Sequence, residues 1–288
     1  MKFTFKNQSN QPIGIKKFLA LNGISHRMYS SLKKGQGKIN FNQAEVLPNQ
    51  EVEVYLADEP ADPNVLVSHQ PIEIMYEDAN WLVVNKPAGL TSVPGPANRE
   101  DTLVNRVKGY LITQGAKNLV PHIITRLDRF TSGIVLIAKH HLANSLANVM
   151  LSEQKINKEY LALVAGGQLA QHGEINKPIG KVEDQYFQAV RPDGKAARTE
   201  YWLVKEYADY SLVKIKLHTG RTHQIRVHFT DMQHPLLGDE LYYGPLDRGI
   251  KRQALHAYLL EFVDPFTKQT LHFESKLPAD MQKLIANN

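Results

Sequence analysis

The stretch that decides the fold is HIITRLDRFTSGIVLIAK, residues 122–139, in which a polar loop leads into an apolar run. The run GIVLIAK predicts a short buried strand. The loop holds one carboxylate, Asp128, between Arg126 and Arg129. An ordinary surface ion pair would give the same pattern. Because nearby positive charge favours an ionised carboxylate, the alternative is that Asp128 is an anion suited to act as a base or a nucleophile.

Outside this stretch, strands and hairpins are more numerous than helices. Residues 72–90 predict two strands around a turn. Residues 199–218 alternate apolar and polar side chains, with Val213 and Ile215 on the apolar face, as a half-buried antiparallel hairpin does. The pattern therefore predicts an α+β fold around a mixed, largely antiparallel sheet.

Two helices are predicted next to the strands. The first, at residues 140–154, has four apolar residues on one face: Leu142, Leu146, Val149 and Met150. The second, at residues 221–231, is predicted to open at Thr222 as its N-cap and to turn Ile225 and Phe229 toward the core.

The chain divides into a small N-terminal unit and a larger domain. Residues 1–58 predict a small α/β unit with two short helices and two strands. Residues 59–71 are acidic and rich in proline, which is typical of a linker, and residues 72–288 form the main domain. Basic side chains are concentrated in the N-terminal unit: Lys16, Lys17, His26, Arg27, Lys33 and Lys34.

Composition narrows the function classes. The net charge is +5 and the pI is near 9.1, which favours a polyanionic partner. The chain has no cysteine, so disulfides and thiolate chemistry are excluded, and no apolar run approaches the roughly 20 residues that a membrane span needs. The N-terminal residues lack the apolar core of a signal peptide. We expect a cytoplasmic protein with no membrane partner.

Several motifs occur together in a recognisable order: NKPAGL at residues 85–90, RLD followed by TSG, KEYLALVAG at residues 158–166, and TGRTHQIRVH ahead of HPLLGD. With these motifs the chain closely resembles the RluA-type pseudouridine synthases, which isomerise uridine to pseudouridine in ribosomal or transfer RNA. The resemblance runs from about Ile72 to Lys283. The first sixty residues resemble a divergent alpha-L RNA-binding motif.

The resemblance implies roles for individual residues. Asp128 falls on the catalytic aspartate, Arg226 on the basic residue that pairs with it, and Tyr160 on the tyrosine that stacks on the target base. The side chains implied to contact the substrate are Thr125, Arg126, Arg221, His223 and Gln224, with Arg126 filling the gap that the extruded nucleotide leaves. Thr125 stands where the family commonly has histidine. Isomerisation needs no redox step, so no metal or cofactor is expected.

Two other functions fit the same sequence. A metal-dependent hydrolase could use ligands that lie close in sequence: His218, His223, His228, His234 and Asp239. A catalytically silent RNA-binding protein could keep the fold, with Thr125 as a sign of lost activity. We predict the synthase, a monomer acting on structured RNA, with large-subunit ribosomal RNA as the first candidate substrate and transfer RNA as the second.

Overall fold

The N-terminal unit contains a three-stranded antiparallel sheet, in which residues 51–56 lie between residues 2–6 and 37–40. It also has a two-stranded sheet of residues 13–14 and 45–46, and two short helices that share its apolar cluster. The computed structural model describes residues 1–96, 98–183, 185 and 187–286. Helix α2 starts where the Ser25 hydroxyl accepts a hydrogen bond from the backbone N–H of Met28. The elements are β1 Lys2–Lys6, β2 Ile13–Gly14, α1 Ile15–Leu21, α2 His26–Lys33, β3 Gly37–Asn40, β4 Glu45–Val46 and β5 Glu51–Leu56.

Residues 57–72 contain neither a helix nor a strand, but they lie against the main domain. Glu59 is buried and accepts a hydrogen bond from the backbone N–H of His141. The N-terminal unit also packs on the main domain, since Phe18 and Leu19 share an apolar cluster with Leu142. The division at residues 58 and 72 remains a prediction.

A ten-stranded sheet forms the centre of the main domain, with eight of its strands in the order β11-β14-β15-β10-β16-β9-β7-β6. Strands β17 and β8 extend it by pairing with β16 and β9. Its strands are β6 Glu73–Glu77, β7 Trp81–Lys86, β8 His122–Ile123, β9 Ser132–Ala138, β10 Ile156–Ala165, β11 His172–Asn176, β14 Arg198–Glu206, β15 Tyr210–Leu217, β16 Leu255–Val263 and β17 Thr270–Glu274. A separate two-stranded sheet joins β12 Ile179–Lys181 to β13 Gln188–Val190.

The pairing is mixed and largely antiparallel, which confirms the predicted fold class. Strands β9 and β16 run parallel, and the other pairings described in this sheet are antiparallel. Every residue of β9 is buried, as the apolar run predicts. The predicted hairpins form as β6–β7 and β14–β15.

The helices are α3 Leu103–Thr113, α4 His141–Ser152, α5 Gln224–Asp231 and α6 Ala279–Ala286, with a short 3-10 helix at Glu240–Tyr242. Within the part of the chain that the structure describes, every helix falls short of the length and apolar character that crossing a membrane requires.

The predicted apolar face of α4 is wrong at one position. Leu142 and Met150 are buried as expected, but Val149 is exposed. The small side chains of Ala143 and Ala147 are fully buried and join the core cluster beside β9, so the buried face is rotated away from Val149.

The predicted start of α5 is also wrong, because Thr222 does not cap it. The helix follows His223, which adopts a left-handed backbone with φ of +56°. Its first residue, Gln224, folds back so that its side-chain carbonyl accepts from the backbone N–H of Arg221 at 3.0 Å and from the Thr219 hydroxyl at 2.8 Å. This side chain holds the turn that a threonine cap would otherwise hold.

Candidate active site

Asp128 lies in the tight turn that leads into β9. The turn closes through a hydrogen bond from the backbone N–H of Thr131 to the Asp128 carbonyl at 3.1 Å. The buried Ser92 hydroxyl holds the preceding residue at both backbone groups, accepting from Leu127 N at 3.2 Å and donating to Leu127 O at 2.6 Å. The backbone around Asp128 is therefore fixed, while its side chain remains 31% exposed.

Lys86, at the end of β7, stabilises this turn through hydrogen bonds to backbone carbonyls. It is almost fully buried, and its ammonium donates to the carbonyls of Pro87, Leu90 and Arg129 at 3.0, 2.8 and 3.2 Å. Burial lowers the pKa of Lys86 to about 7, and the charge of Asp128 acts in the opposite direction. Its three N–H groups match the three carbonyls, so Lys86 ties the NKPAGL loop to the Asp128 turn.

Arg226, on α5, brings a cation to Asp128. Its Nη1 lies 3.4 Å from a carboxylate oxygen of Asp128. Its Nε and Nη2 donate to the two oxygens of Asp239, both at 2.7 Å, and its guanidinium lies over the Tyr242 ring at 4.7 Å. Burial opposes the charge of Arg226, but the Asp239 hydrogen bonds raise its pKa above the ordinary value. Two contacts therefore fix the guanidinium and leave one edge for Asp128.

His223 adds a second polar group beside the carboxylate. Its Nε2 lies 3.8 Å from the Asp128 oxygen, and its Nδ1 lies 2.9 Å from the Tyr242 hydroxyl. That hydroxyl accepts from the backbone N–H of Gln188 at 2.9 Å, so its own proton points to Nδ1. Burial lowers the pKa of His223. The ring is therefore neutral and presents Nε2–H toward Asp128.

Tyr160 forms a wall of the same pocket. It lies on β10, next to a bulge between Glu159 and Tyr160, and pairs with Ile215 on one side and Ala257 on the other. Burial, and to a lesser degree the charge of Asp128, raises the pKa of Tyr160. Its phenol is therefore neutral over the working range and suits contact with a flat apolar ring better than proton transfer.

All of the predicted site residues except Thr125 line one pocket with Asp128 at its mouth: Arg126, Asp128, Tyr160, Arg221, His223, Gln224 and Arg226. Thr125 lines the adjoining groove. Two of the side chains are already engaged with the protein. The buried Thr125 hydroxyl accepts from Leu136 N at 2.8 Å, and the Gln224 amide holds the turn before α5.

The structure contradicts the ordinary alternative for this loop, a surface ion pair between Asp128 and its sequence neighbours. Among the described residues, neither Arg126 nor Arg129 forms an ion pair with Asp128. Arg126 is exposed at the rim, and Arg129 donates to the Gly89 carbonyl at 3.1 Å. The side chains on either side of a tight turn diverge, so the cation that reaches Asp128 comes from α5 instead.

Three residues at the site were not predicted for it. Lys86 and Asp239 belong to the motifs NKPAGL and HPLLGD, which signal their importance but do not show what they contact. Tyr242 follows HPLLGD closely, and no local pattern distinguishes it from Tyr243. The structure buries Tyr242 against Arg226 and leaves Tyr243 exposed.

The histidines that could have formed a metal site have separate partners. His218 pairs with Glu200 at 2.8 Å, His228 lies between Thr199 and Lys177, and His234 contacts the Ala165 carbonyl. Asp239 is occupied by Arg226. Within the described residues these side chains do not converge on one point where a metal ion could bind. They therefore do not support the hypothesis of a metal-dependent hydrolase.

The pocket opens into a basic groove of about 660 Å³. Asp128 is the one acid among the described residues of its lining, which also includes the cationic side chains of Arg126, Lys158, Lys216 and Arg221. Such a basic surface attracts the negatively charged sugar-phosphate backbone of a nucleic acid.

Comparisons with known proteins identify the family of this chain. The profile of the RNA pseudouridylate synthase family matches residues 80–231. An uncharacterized RNA pseudouridine synthase of Bacillus subtilis, YjbO, is 35% identical over 94% of this chain and 98% of its own length. The ribosomal large subunit pseudouridine synthase D of Xanthomonas campestris is 37% identical over 75% of this chain and 69% of its own length.

The fold also has a solved relative. Human RNA Pseudouridylate Synthase Domain Containing 4 superposes with a TM-score of 0.62 at 22% identity, covering 74% of this chain and 92% of that one. The family assignment rests on the sequence matches, and the superposition shows the similarity of fold. The chain belongs to the RNA pseudouridylate synthase family, of the RluA type, and is an RNA pseudouridine synthase, an isomerase.

Proposed function

We propose that Asp128 is the catalytic residue and that it acts on a uridine extruded from RNA into the pocket lined by Tyr160. One observation carries this proposal: Asp128 is a partly exposed carboxylate in an otherwise cationic cleft, 3.4 Å from an arginine whose other edge is locked onto Asp239. A structural ion pair has no need of an exposed carboxylate held in this way.

The chemistry assigns a step to each side chain. The bond between uracil N1 and the ribose breaks, the uracil turns, and a bond forms from its C5 to the same sugar carbon. The C5 proton passes to solvent, N1 takes up a proton, and the sugar bond or proton that Asp128 took is returned, so the product is an isomer of the substrate. Asp128 attacks the sugar or removes its 2′ proton, and Arg226 keeps the carboxylate charged and aimed. Tyr160 holds the detached uracil flat and close to the sugar.

Extrusion of the base is offset by contacts within the pocket. Removing a base from the stack costs about a few kcal/mol, while stacking on an aromatic ring contributes about 1 to 3 kcal/mol per base. Tyr160 lines the same pocket as Asp128, which supports a stacking role, and Arg126 is exposed without an ion pair to the described residues. Arg126 therefore fits the role of the side chain that fills the vacated position.

The substrate we propose is large-subunit ribosomal RNA, with support from the relative in Xanthomonas campestris that is named for it. The basic N-terminal unit is proposed to bind the same RNA through phosphate contacts. The protein would act in the cytoplasm as a monomer, and the isomerisation itself would need no metal or cofactor.

The substrate is tested by mapping pseudouridine in RNA from cells with and without this protein, and in cells that carry Asp128→Asn. We expect sites in large-subunit ribosomal RNA that disappear in the deletion and are restored by wild type but not by the variant. Sites lost from transfer RNA would replace the proposed substrate. No lost site in any RNA would favour a silent RNA-binding protein.

A further inference from the structure

We propose that Glu59, His122 and His141 form a binding site for one divalent first-row metal ion, with Zn²⁺ as the best-fitting ion. One ligand atom from each residue can be chosen so that all lie within 4.8 Å of one another. The Glu59 carboxylate oxygen lies 2.7 Å from His122 Nε2 and 3.2 Å from His141 Nε2. None of the three lines the Asp128 pocket, so this site is separate from the isomerisation.

The distances from the Glu59 oxygen to the two imidazole nitrogens are close to the ligand separations around a tetrahedrally coordinated ion. Nitrogen and oxygen ligands about 2.0 to 2.2 Å from Zn²⁺ lie roughly 3.3 Å from each other, so the present separations need only small side-chain movements. Both imidazoles are directed at one carboxylate oxygen, and the two rings lie 4.8 Å apart between centroids. Two imidazoles and a carboxylate are ligands that Zn²⁺ accepts.

The three ligands are held on different segments. Glu59 belongs to the segment of residues 57–72 after the N-terminal unit, His122 lies on β8, and His141 is the first residue of α4. The Glu59 side chain is further fixed by its other oxygen, which accepts from His141 N at 2.6 Å. The ligands are therefore arranged before an ion arrives, which lowers the entropy cost of binding it.

The site also has an entry path and room for water. All three side chains line a cavity of about 860 Å³ between α2, α4 and residues 56–60. The side chain of His141 is 57% exposed, whereas those of His122 and Glu59 are 11% and 7% exposed. Three protein ligands leave a fourth tetrahedral position for a water molecule from the cavity.

An ion at this position would join residues 57–72 to the main domain. Cavity walls come from the N-terminal unit at Arg27 and Met28 as well as from α4 at Asn144. A metal bound between these walls would tie down the segment that carries the N-terminal unit. We expect the ion to make that segment more rigid without taking part in the reaction at Asp128.

The test is a calorimetric titration of metal-stripped, tag-free full-length protein with ZnCl₂. We expect one equivalent to bind wild type, and His141→Ala to weaken binding at least about tenfold, since even groups that only support a ligand are worth about 10- to 100-fold. The matched control is His272→Ala, because His272 is another exposed histidine in contact with carboxylates, Glu261 and Glu274. The control should bind as wild type does.

Two further measurements do not depend on affinity alone. Co²⁺ in place of Zn²⁺ should give the visible absorption of a four-coordinate nitrogen–oxygen site in wild type and lose it in His141→Ala. Amide hydrogen exchange across residues 57–72 should slow on adding Zn²⁺ to wild type and to His272→Ala, but not to His141→Ala. The proposal is overturned if wild type binds no stoichiometric ion, or if His141→Ala binds the ion and protects the segment as wild type does.

Discussion

At the scale of single residues, the site depends on how one arginine divides its contacts between two carboxylates. Arg226 uses two N–H groups on the buried Asp239 and turns a third toward Asp128. The sequence motifs predicted Asp128, Tyr160 and Arg226 as site residues. They could not show that Asp239 fixes Arg226, because a bidentate contact depends on the position of α5 and not on local spacing.

The first prediction concerns Arg226→Met. We expect the single-turnover rate to fall at least about a hundredfold, or roughly 2.7 kcal/mol of barrier, because the variant loses the charge that holds Asp128. The variant should also lose about 3 to 5 kcal/mol of stability, because Asp239 is left buried and unpaired. Rapid-quench kinetics and urea unfolding measure the two effects.

The control for this variant is Arg226→Met combined with Asp239→Asn. Replacing the unpaired carboxylate by an amide should recover much of the stability while the rate stays low. A double variant that regains both stability and rate would show that Arg226 acts through folding alone. An Arg226→Met protein that keeps its rate would show that Arg226 does not serve Asp128.

At the scale of secondary-structure elements, the close approach of β9 to β16 fixes the turn that carries Asp128. Gly133 has a φ of +114°, and a Cβ there would lie 2.1 Å from the Ala257 carbonyl oxygen. The period of apolar residues predicted these strands individually. It could not predict their pairing, because residues 132 and 256 are far apart in sequence. The sequence of a short apolar strand also does not specify which strand it pairs with.

The second prediction is that Gly133→Ala destabilises the protein by more than the about 1 to 3 kcal/mol that an unfavourable backbone conformation alone costs. The added Cβ would also push the Ala257 carbonyl and displace the Asp128 turn, so activity should fall. Urea unfolding measures the loss, with Gly95→Ala as the control because nothing lies within 4 Å of its Cβ position. Equal stabilities of the two variants would contradict the inference that the close approach of β9 to β16 excludes a side chain at residue 133.

The third prediction concerns pH and His256, on β16. Burial lowers the pKa of His256 to about 4, and its ring nitrogens lie 3.0 Å from the Ser132 hydroxyl and 3.3 Å from the Ser275 carbonyl. Between about pH 6.5 and pH 4 the unfolded chain binds a proton at this residue that the folded protein does not. Stability should therefore fall as the pH drops, by about 3 kcal/mol from this residue.

The measurement is urea unfolding at several pH values for wild type and for His256→Asn, which keeps a polar side chain but does not titrate. The difference between the two proteins isolates His256 from other buried histidines. We expect the wild type to lose more stability than the variant between pH 6.5 and pH 4. Parallel curves would mean that His256 does not resist protonation in the folded protein.

At the scale of the whole molecule, the N-terminal unit is joined to the catalytic domain by packing as well as by the chain. Local patterns predicted both of its helices but only two of its five strands, β3 and β5; the strand β1 and the two-residue strands β2 and β4 were missed. The burial of Glu59 was not predictable, because an acidic, proline-rich segment is typical of a free linker and its partners His122 and His141 lie more than sixty residues away in sequence.

The fourth prediction tests the N-terminal unit by charge and not by deletion, since deletion would expose Leu142 and its apolar neighbours. Replacing the exposed Lys16, Lys17 and Lys34 by glutamine should weaken RNA binding and make its salt dependence shallower, because each lost phosphate contact reduces the slope by about one unit. Binding measured across a salt series checks this. An unchanged slope would mean that these lysines do not contact RNA.

The central claim is that Asp128 performs the chemistry, and single-turnover release of tritium from RNA containing [5-³H]uridine measures it most directly. Asp128→Asn keeps the size of the side chain and removes its charge, so RNA affinity should stay within a few fold while tritium release is abolished. Rapid release by wild type and none by the variant is the predicted result. Release by Asp128→Asn within tenfold of the wild-type rate would contradict the account.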